Sequence, residues 1–254
     1  MTNMKQSLTI LTGGSRGMGL AMGQQLLADG HVLVSIARKS SDALAQAVST
    51  AEQLMQWQQD LADTGASADR LRTFLGSLQP DDWASITLIN NAGVIPEIAP
   101  ISQVSADGIA NAMRVGLEAP MALTGAFLAA TDGWTMPRKV LNISSGLGRK
   151  AMASQASYCA AKAGMDLFTR CVALEEAGKP HGAKLCSLAP GVIDTDMQVH
   201  LRSANPAGFP DIGNFQALHS GGRLTSPADA ARRVLAWLNR SDFGENPVAD
   251  VRDN

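Results

Sequence analysis

The chain of 254 residues contains a single tyrosine, Tyr158, and aromatic residues make up only 4% of it. Phenolic chemistry, if there is any, rests on that one side chain. Cysteine is also scarce. Cys159, Cys171 and Cys186 are odd in number and lack metal-ligand spacing, and His31, His181, His200 and His219 form no cluster. Neither a disulfide framework nor a metal site is expected. An excess of one charge is missing as well: the formal net charge is −2 with no basic block, which leaves no electrostatic footprint for nucleic acid or an anionic membrane. No apolar run approaches the roughly 20 residues of a membrane span, and no charged leader precedes the first strand-like segment. These absences predict a mature, reduced, cytoplasmic protein with a small-molecule partner.

Hydrophobic residues are abundant, at 45%, enough for a full core. One domain over residues 1–254 is expected. Apolar runs bounded by turn residues recur at Leu8–Leu11, Val32–Ile36, Ser85–Ile89, Val140–Ile143 and Ala183–Leu188, the pattern of parallel strands buried on both faces. Between them, Gly19–Ala28, Asn111–Ala130 and Gln155–Glu176 have helical spacing. The alternation predicts an α/β fold, a doubly wound parallel sheet with helices on both faces. Residues 194–222, rich in Gly, Pro, Asn and Ser, are too long for an ordinary connection and read as a partly helical substrate lid. Residues 247–251 read as a short last strand.

In such sheets ligands sit beyond the carboxyl ends of the strands. The turn Thr12-Gly-Gly-Ser-Arg-Gly-Met-Gly19, the run Asn90-Asn-Ala-Gly93, Ser145 and Pro190-Gly191 all follow predicted strands, so one cleft can collect them. Gly13, Gly17 and Gly19 open the first helix, where missing side chains let backbone amides approach a pyrophosphate. The second strand ends at Ala37-Arg38, where an NAD-preferring site usually carries an acidic residue for the ribose 2′-hydroxyl. Arg38, with Arg16, suits a 2′-phosphate instead, which favours NADPH over NADH; Lys39 and Ser40 are helpers. Tyr158 and Lys162 are spaced i, i+4 and share a helix face. A free tyrosine has a pKa of about 10, and the neighbouring lysine is expected to lower it.

Taken in order, Thr12-Gly-x-x-x-Gly-x-Gly19, Asp60-Leu61, Asn90-Asn-Ala-Gly93, Ser145, Tyr158-x-x-x-Lys162 and Pro190-Gly-Val-Ile-Asp-Thr195 resemble the short-chain dehydrogenase/reductase family across essentially the whole chain. Within it, Pro190–Gln198, Leu201-Arg202 and Gly222–Pro227 resemble the sepiapterin reductase and benzil reductase branch, which points to a ketone or vicinal dicarbonyl. The resemblance implies a Rossmann-like, NAD(P)-binding homodimer or homotetramer. It implies that Tyr158 gives a proton to the substrate carbonyl oxygen, that Lys162 holds the nicotinamide ribose and lowers the tyrosine pKa, and that Ser145 orients the carbonyl. It further assigns Gly13, Ser15, Arg16, Gly17, Met18 and Gly19 to the pyrophosphate turn and Asp60 and Leu61 to the adenine. Asn91, Ala92 and Gly93 fall on the adenosine ribose, and Pro190, Gly191, Ile193 and Thr195 on the nicotinamide carboxamide.

One departure stands out. Where many family members carry an asparagine that supports a proton path to the lysine, this chain reads Val115-Gly116-Leu117. A water in the space left by glycine is the expected substitute, with Asn111 as another. The sequence therefore predicts an NADPH-dependent carbonyl reductase of small or medium ketones and diketones. The alternatives are an alcohol, sugar or 3-oxoacyl-thioester oxidoreductase, or a weakly catalytic NADPH-sensing regulator.

Overall fold

The computed structural model describes residues 5–253. Seven strands, β1 (Gln6–Thr12), β2 (Val32–Ala37), β3 (Leu54–Gln58), β4 (Trp83–Asn90), β5 (Arg138–Ile143), β6 (Lys184–Ala189) and β7 (Val248–Asp250), form one sheet in the order β3-β2-β1-β4-β5-β6-β7. Every pairing in it is parallel. The strand order reverses between β1 and β4, which creates the crevice where such sheets bind ligands.

Strand side chains alternate between two apolar layers. Leu8, Ile10, Ile86, Leu88 and Val140 enter one cluster with Leu71 and Leu75 of α3 (Thr64–Gly76) and Leu123 and Phe127 of α5 (Ala119–Ala130). Leu11, Ile89, Leu141 and Ile143 enter the other, with Met22 and Leu26 of α1 (Gly17–Ala28) and Val234 and Leu238 of α9 (Pro227–Leu238). Burial on both faces is why these strands appear as unbroken apolar runs. Strand β3 lies at the sheet edge and is only partly buried, so its Leu-Met-Gln-Trp-Gln lacks that signature. The short α2 (Asp42–Ala45) is capped by the Ser41 hydroxyl.

The predicted helix over 111–130 begins earlier, with α4 (Ala106–Met113), whose Ser105 hydroxyl accepts the Gly108 N–H at 3.0 Å. It runs through a π-helical turn at Arg114–Glu118 into α5. The long α6 (Ala156–Ala177) packs beside that turn. Residues 194–222 hold α7 (Asp196–Arg202) and α8 (Ile212–Ser220). These helices rest on a small separate cluster of Ile98, Leu201, Phe209 and Phe215, in which the two phenylalanine rings stack at 5.5 Å. Among the described residues no helix is long and apolar enough to cross a membrane.

Candidate active site

At the carboxyl ends of β1, β4, β5 and β6 lies a cleft of about 1500 Å³, larger than the roughly 300–1,000 Å³ of a site for one small ligand. All of the sequence-predicted site residues line it, from Gly13 and the glycine turn through Arg38, Asp60, Leu61, Asn91, Ala92 and Gly93 to Ser145, Tyr158, Lys162, Pro190, Gly191, Ile193 and Thr195. Strand register explains the convergence. Leu11 is level with Ile89, Asn90 with Asn142 and Ile143 with Leu188, so the residues that follow each strand emerge at one rim.

The glycine turn is held from two sides. Gly13 and Gly17 have φ of 72° and 55°, the left-handed region that favours glycine, and a Cβ at Gly19 would run into the Gly13 carbonyl. The Asn91 amide donates to the carbonyls of Thr12 at 3.0 Å and Gly13 at 3.3 Å, and the Thr12 hydroxyl accepts the N–H groups of Asn91 and Ala92. Asn91 therefore braces the turn, a role beyond the ribose contact expected of it. No side chain caps α1, and its first turn holds no acid. Its open N–H groups fit a pyrophosphate.

The two arginines expected together part company. Arg16 lies 2.8 Å from Asp196 at the start of α7, with both side chains exposed, so its guanidinium is already engaged by a carboxylate. Arg38 takes part in none of the ion pairs among the described residues. It stands beside Lys39 and Ser40 on the cleft wall, and this rim fits an anionic group on the adenosine ribose.

Tyr158 and Lys162 stand one turn apart on α6. The Lys162 ammonium is 4% exposed as a residue, donates to the Ile143 carbonyl at 2.7 Å and lies 5.8 Å from the Tyr158 ring centre. Burial pulls its pKa down to about 8, with Asp166 opposing. The expectation that lysine lowers the tyrosine pKa is corrected for this state of the protein. Burial pushes the Tyr158 phenol up, and a hydrogen bond with Ser145 only partly offsets it. Lys162 is held on a strand carbonyl to one side of the ring, where its charge counts for less than desolvation. Ser145 also accepts the Leu147 N–H at 3.1 Å, which fixes its hydroxyl at the end of β5.

Two buried networks hold these residues in place. The Asn90 amide donates to Asn142 at 2.8 Å, and the Asn142 amide donates to Thr169 of α6 at 2.9 Å. The Asp166 carboxylate, one turn after Lys162, accepts from the hydroxyls of Ser144 and Ser187, each at 2.6 Å, and from Arg149 at 3.0 Å. Ser144 is therefore a strut beside Ser145. Arg149 also donates to the Ala249 carbonyl at 2.9 Å, which ties β7 to the same network.

Gly116 lies close against α6. A Cβ there would stand 3.1 Å from the Cβ of Ala161, and one at Gly164 would stand 2.8 Å from Leu117. Small residues on these helices thus allow close packing within the chain. Asn111 and Val115 line the cleft nearby.

The far part of the cleft is apolar. Ile95, Met152, Leu201, Phe215 and Leu218 line it, as do the sequence-noted Leu147 and Met197. Two further residues that line the cleft, missed in the sequence, carry amides. Gln155 Nε2 and Gln198 Oε1 are buried without a hydrogen-bond partner, in residues 1% and 7% exposed. Gln155 carried one signal, its position three residues before Tyr158. Asp250 and Arg252, paired at 2.6 Å, also reach the cleft from the chain end.

The family model described as short chain dehydrogenase matches residues 7–206. A benzil reductase ((S)-benzoin forming) of Bacillus cereus is 34% identical over 95% of this chain and 98% of its own. A sepiapterin reductase of Meriones unguiculatus is 30% identical over 98% and 97%. The crystal structure of a 3-oxoacyl-[acyl-carrier protein] reductase from Brucella melitensis, in complex with NAD, superposes with a TM-score of 0.79 over 98% of this chain and 96% of that one, at 23% identity, a likeness of fold.

Proposed function

The chain belongs to the short-chain dehydrogenase family and is thereby an oxidoreductase of CH–OH and C=O groups that uses a nicotinamide cofactor, and from that premise we propose that it is an NADPH-dependent carbonyl reductase acting on small or medium ketones and diketones. The observation that carries the reading is the meeting of Ser145, Tyr158 and Lys162 in one cleft with the open start of α1 and with Arg38, which forms no ion pair among the described residues.

The glycine turn and α1 hold the pyrophosphate, Arg38 with Lys39 and Ser40 holds the 2′-phosphate, and Asp60 and Leu61 flank the adenine. Ile193 and Thr195 hold the carboxamide. When bound, the reduced nicotinamide supplies the electron pair and hydrogen that go to the carbonyl carbon. Ser145 donates to the carbonyl oxygen and orients it. Tyr158 delivers its phenolic proton to that oxygen as negative charge develops there. A phenol pushed up by burial stays protonated at neutral pH, the state that reduction requires. Lys162, held by Ile143 and charged below about pH 8, stabilises the tyrosinate left behind. The α7–α8 segment closes the apolar side as a lid and excludes water.

A homodimer or homotetramer is part of the same proposal. Ala156, Ala160, Ala163, Leu167, Cys171 and Leu174 form an exposed, largely apolar stripe along α6, with Leu174 at 79% exposure, and a second copy would cover it. The three unpaired cysteines fit a reducing cytoplasm.

The test is NADPH oxidation across benzil-like diketones, pterin side-chain ketones, aryl ketones and acyl thioesters, with wild type and Tyr158→Phe compared. Turnover of a ketone or diketone should fall by about 10²–10⁴ in the variant, with NADPH affinity kept. NADPH binding without turnover of any carbonyl in the wild type would reject the reductase and leave a sensor.

A further inference from the structure

Buried polar atoms in folded proteins nearly always have a hydrogen-bond partner, and an exception asks for a ligand, a water or a function. Gln155 is such an exception. Its Nε2 is fully buried and bonded to nothing among the described residues, in a side chain that lines the cleft beside Met152, Leu201 and Phe215. Apolar walls make a donor there count for more, since little water competes with a ligand for it.

Position gives the donor its meaning. Gln155 is the N-cap of α6, so Tyr158 lies one turn further on the same face, and Lys162 one turn beyond that. The backbone around it is pinned: the Gln155 carbonyl accepts the Cys159 N–H at 2.8 Å, and Ser154 before it sits at φ 63° with its hydroxyl donating to the Gly208 carbonyl at 2.5 Å. A left-handed serine is held only where its surroundings over-determine it. The amide is thus carried on a fixed stretch of backbone, three residues before the tyrosine.

We propose that Gln155 is a specificity-determining residue: while Ser145 and Tyr158 hold the carbonyl that is reduced, the Gln155 amide donates to the oxygen of the neighbouring carbonyl, so that the enzyme selects vicinal diketones over simple ketones. The donor is neutral, which suits a neutral ketone oxygen. A 2-oxo acid would place a carboxylate at this point and call for a cation instead. Gln198, the other unpartnered amide, belongs to α7 rather than to the tyrosine helix, so its place relative to the reacting carbonyl follows the lid. This inference rests on the reductase reading and narrows its substrate.

The experiment compares kcat/KM for 1-phenyl-1,2-propanedione with that for propiophenone, which lacks the second carbonyl, in wild type, Gln155→Leu and Gln155→Met. Both variants should lose about tenfold on the diketone, the worth of a hydrogen bond at the strong end of the neutral range, and change by less than about twofold on the monoketone. Gln155→Met keeps the length and flexibility of the side chain, and NADPH affinity with the melting temperature shows that each variant is folded. An equal loss on both substrates, or none on either, overturns the selector while leaving the reductase standing. A wild type that binds NADPH and reduces neither compound nor any other carbonyl overturns the reductase reading and this inference with it.

Discussion

The Lys162 ammonium lies 5.8 Å from the centre of the Tyr158 ring and is tied at 2.7 Å to the Ile143 carbonyl. The two groups are shifted in opposite directions, the phenol up and the lysine down to about 8, and burial is the leading cause for both. The proposed reduction needs a protonated phenol and a charged lysine. As pH rises, Lys162 loses its proton first, so the reductive kcat/KM should be level below about pH 8 and fall above it. A free-enzyme pH profile of kcat/KM measures this directly. A profile that stays level to pH 10 would mean that the lysine charge is not needed.

The proposed preference for NADPH rests on Arg38 rather than on Arg16. Arg16 already faces Asp196, whereas Arg38 belongs to no ion pair among the described residues. Arg38→Asp should weaken NADPH by about 10- to 100-fold, the range of a charge-assisted hydrogen bond, and change NADH by less than about threefold. Arg16→Ala should have the smaller effect on NADPH. Cofactor fluorescence titrations of both variants decide it, and equal losses for the two nucleotides would remove the 2′-phosphate from the argument.

Asp166 joins β5, β6, Arg149 and the tyrosine helix in one buried knot. Asp166→Ala leaves two buried hydroxyls without their acceptor and Arg149 without its counter-charge. Leaving buried donors without their acceptor costs about 1–3 kcal/mol each, which for a chain of this size lowers the melting temperature on the order of 10 °C. Asp166→Asn keeps the shape and an acceptor oxygen and should lose less. Thermal unfolding of the two variants side by side checks the order, and equal losses would place the cost in charge rather than shape.

Legibility in the sequence followed the physics of each element. The strands beneath the site were visible because burial on both faces makes Leu8–Leu11 or Val140–Ile143 continuously apolar, and the cleft followed because glycines, Ser145 and Pro190 mark strand ends. Strand β3 is absent from those apolar runs, since an edge strand that is only partly buried carries no continuous apolar stretch. What lay hidden depends on contacts between distant segments. Nothing local in Arg16 announces Asp196, nothing in Ser144 announces Asp166, and the lone amide of Gln155 becomes notable only when no partner is found for it. The direction of the Tyr158 shift belongs to the same class: the i, i+4 lysine is visible in sequence, but burial of the phenol is a property of the folded cleft.

Gly116 is where the chain departs from its family and where packing decides the outcome. In a helix interior Ala is favoured over Gly by up to about 1 kcal/mol, so propensity alone predicts that Gly116→Ala stabilises. Against this, the new Cβ would stand 3.1 Å from the Cβ of Ala161, an atom fixed to the α6 backbone that no rotamer change can move. Overpacking a filled contact costs about 1–3 kcal/mol, and it should win, giving a net loss on the order of 1 kcal/mol. Ala161→Gly in the same chain removes the clash, so a double-mutant cycle on thermal unfolding should show a coupling of about 1 kcal/mol, whereas distant sites would be additive. Because Ala161 directly precedes Lys162, relief of the clash should also restore turnover lost in Gly116→Ala. Stability recovered without turnover would separate the packing of the π turn from the placement of the lysine.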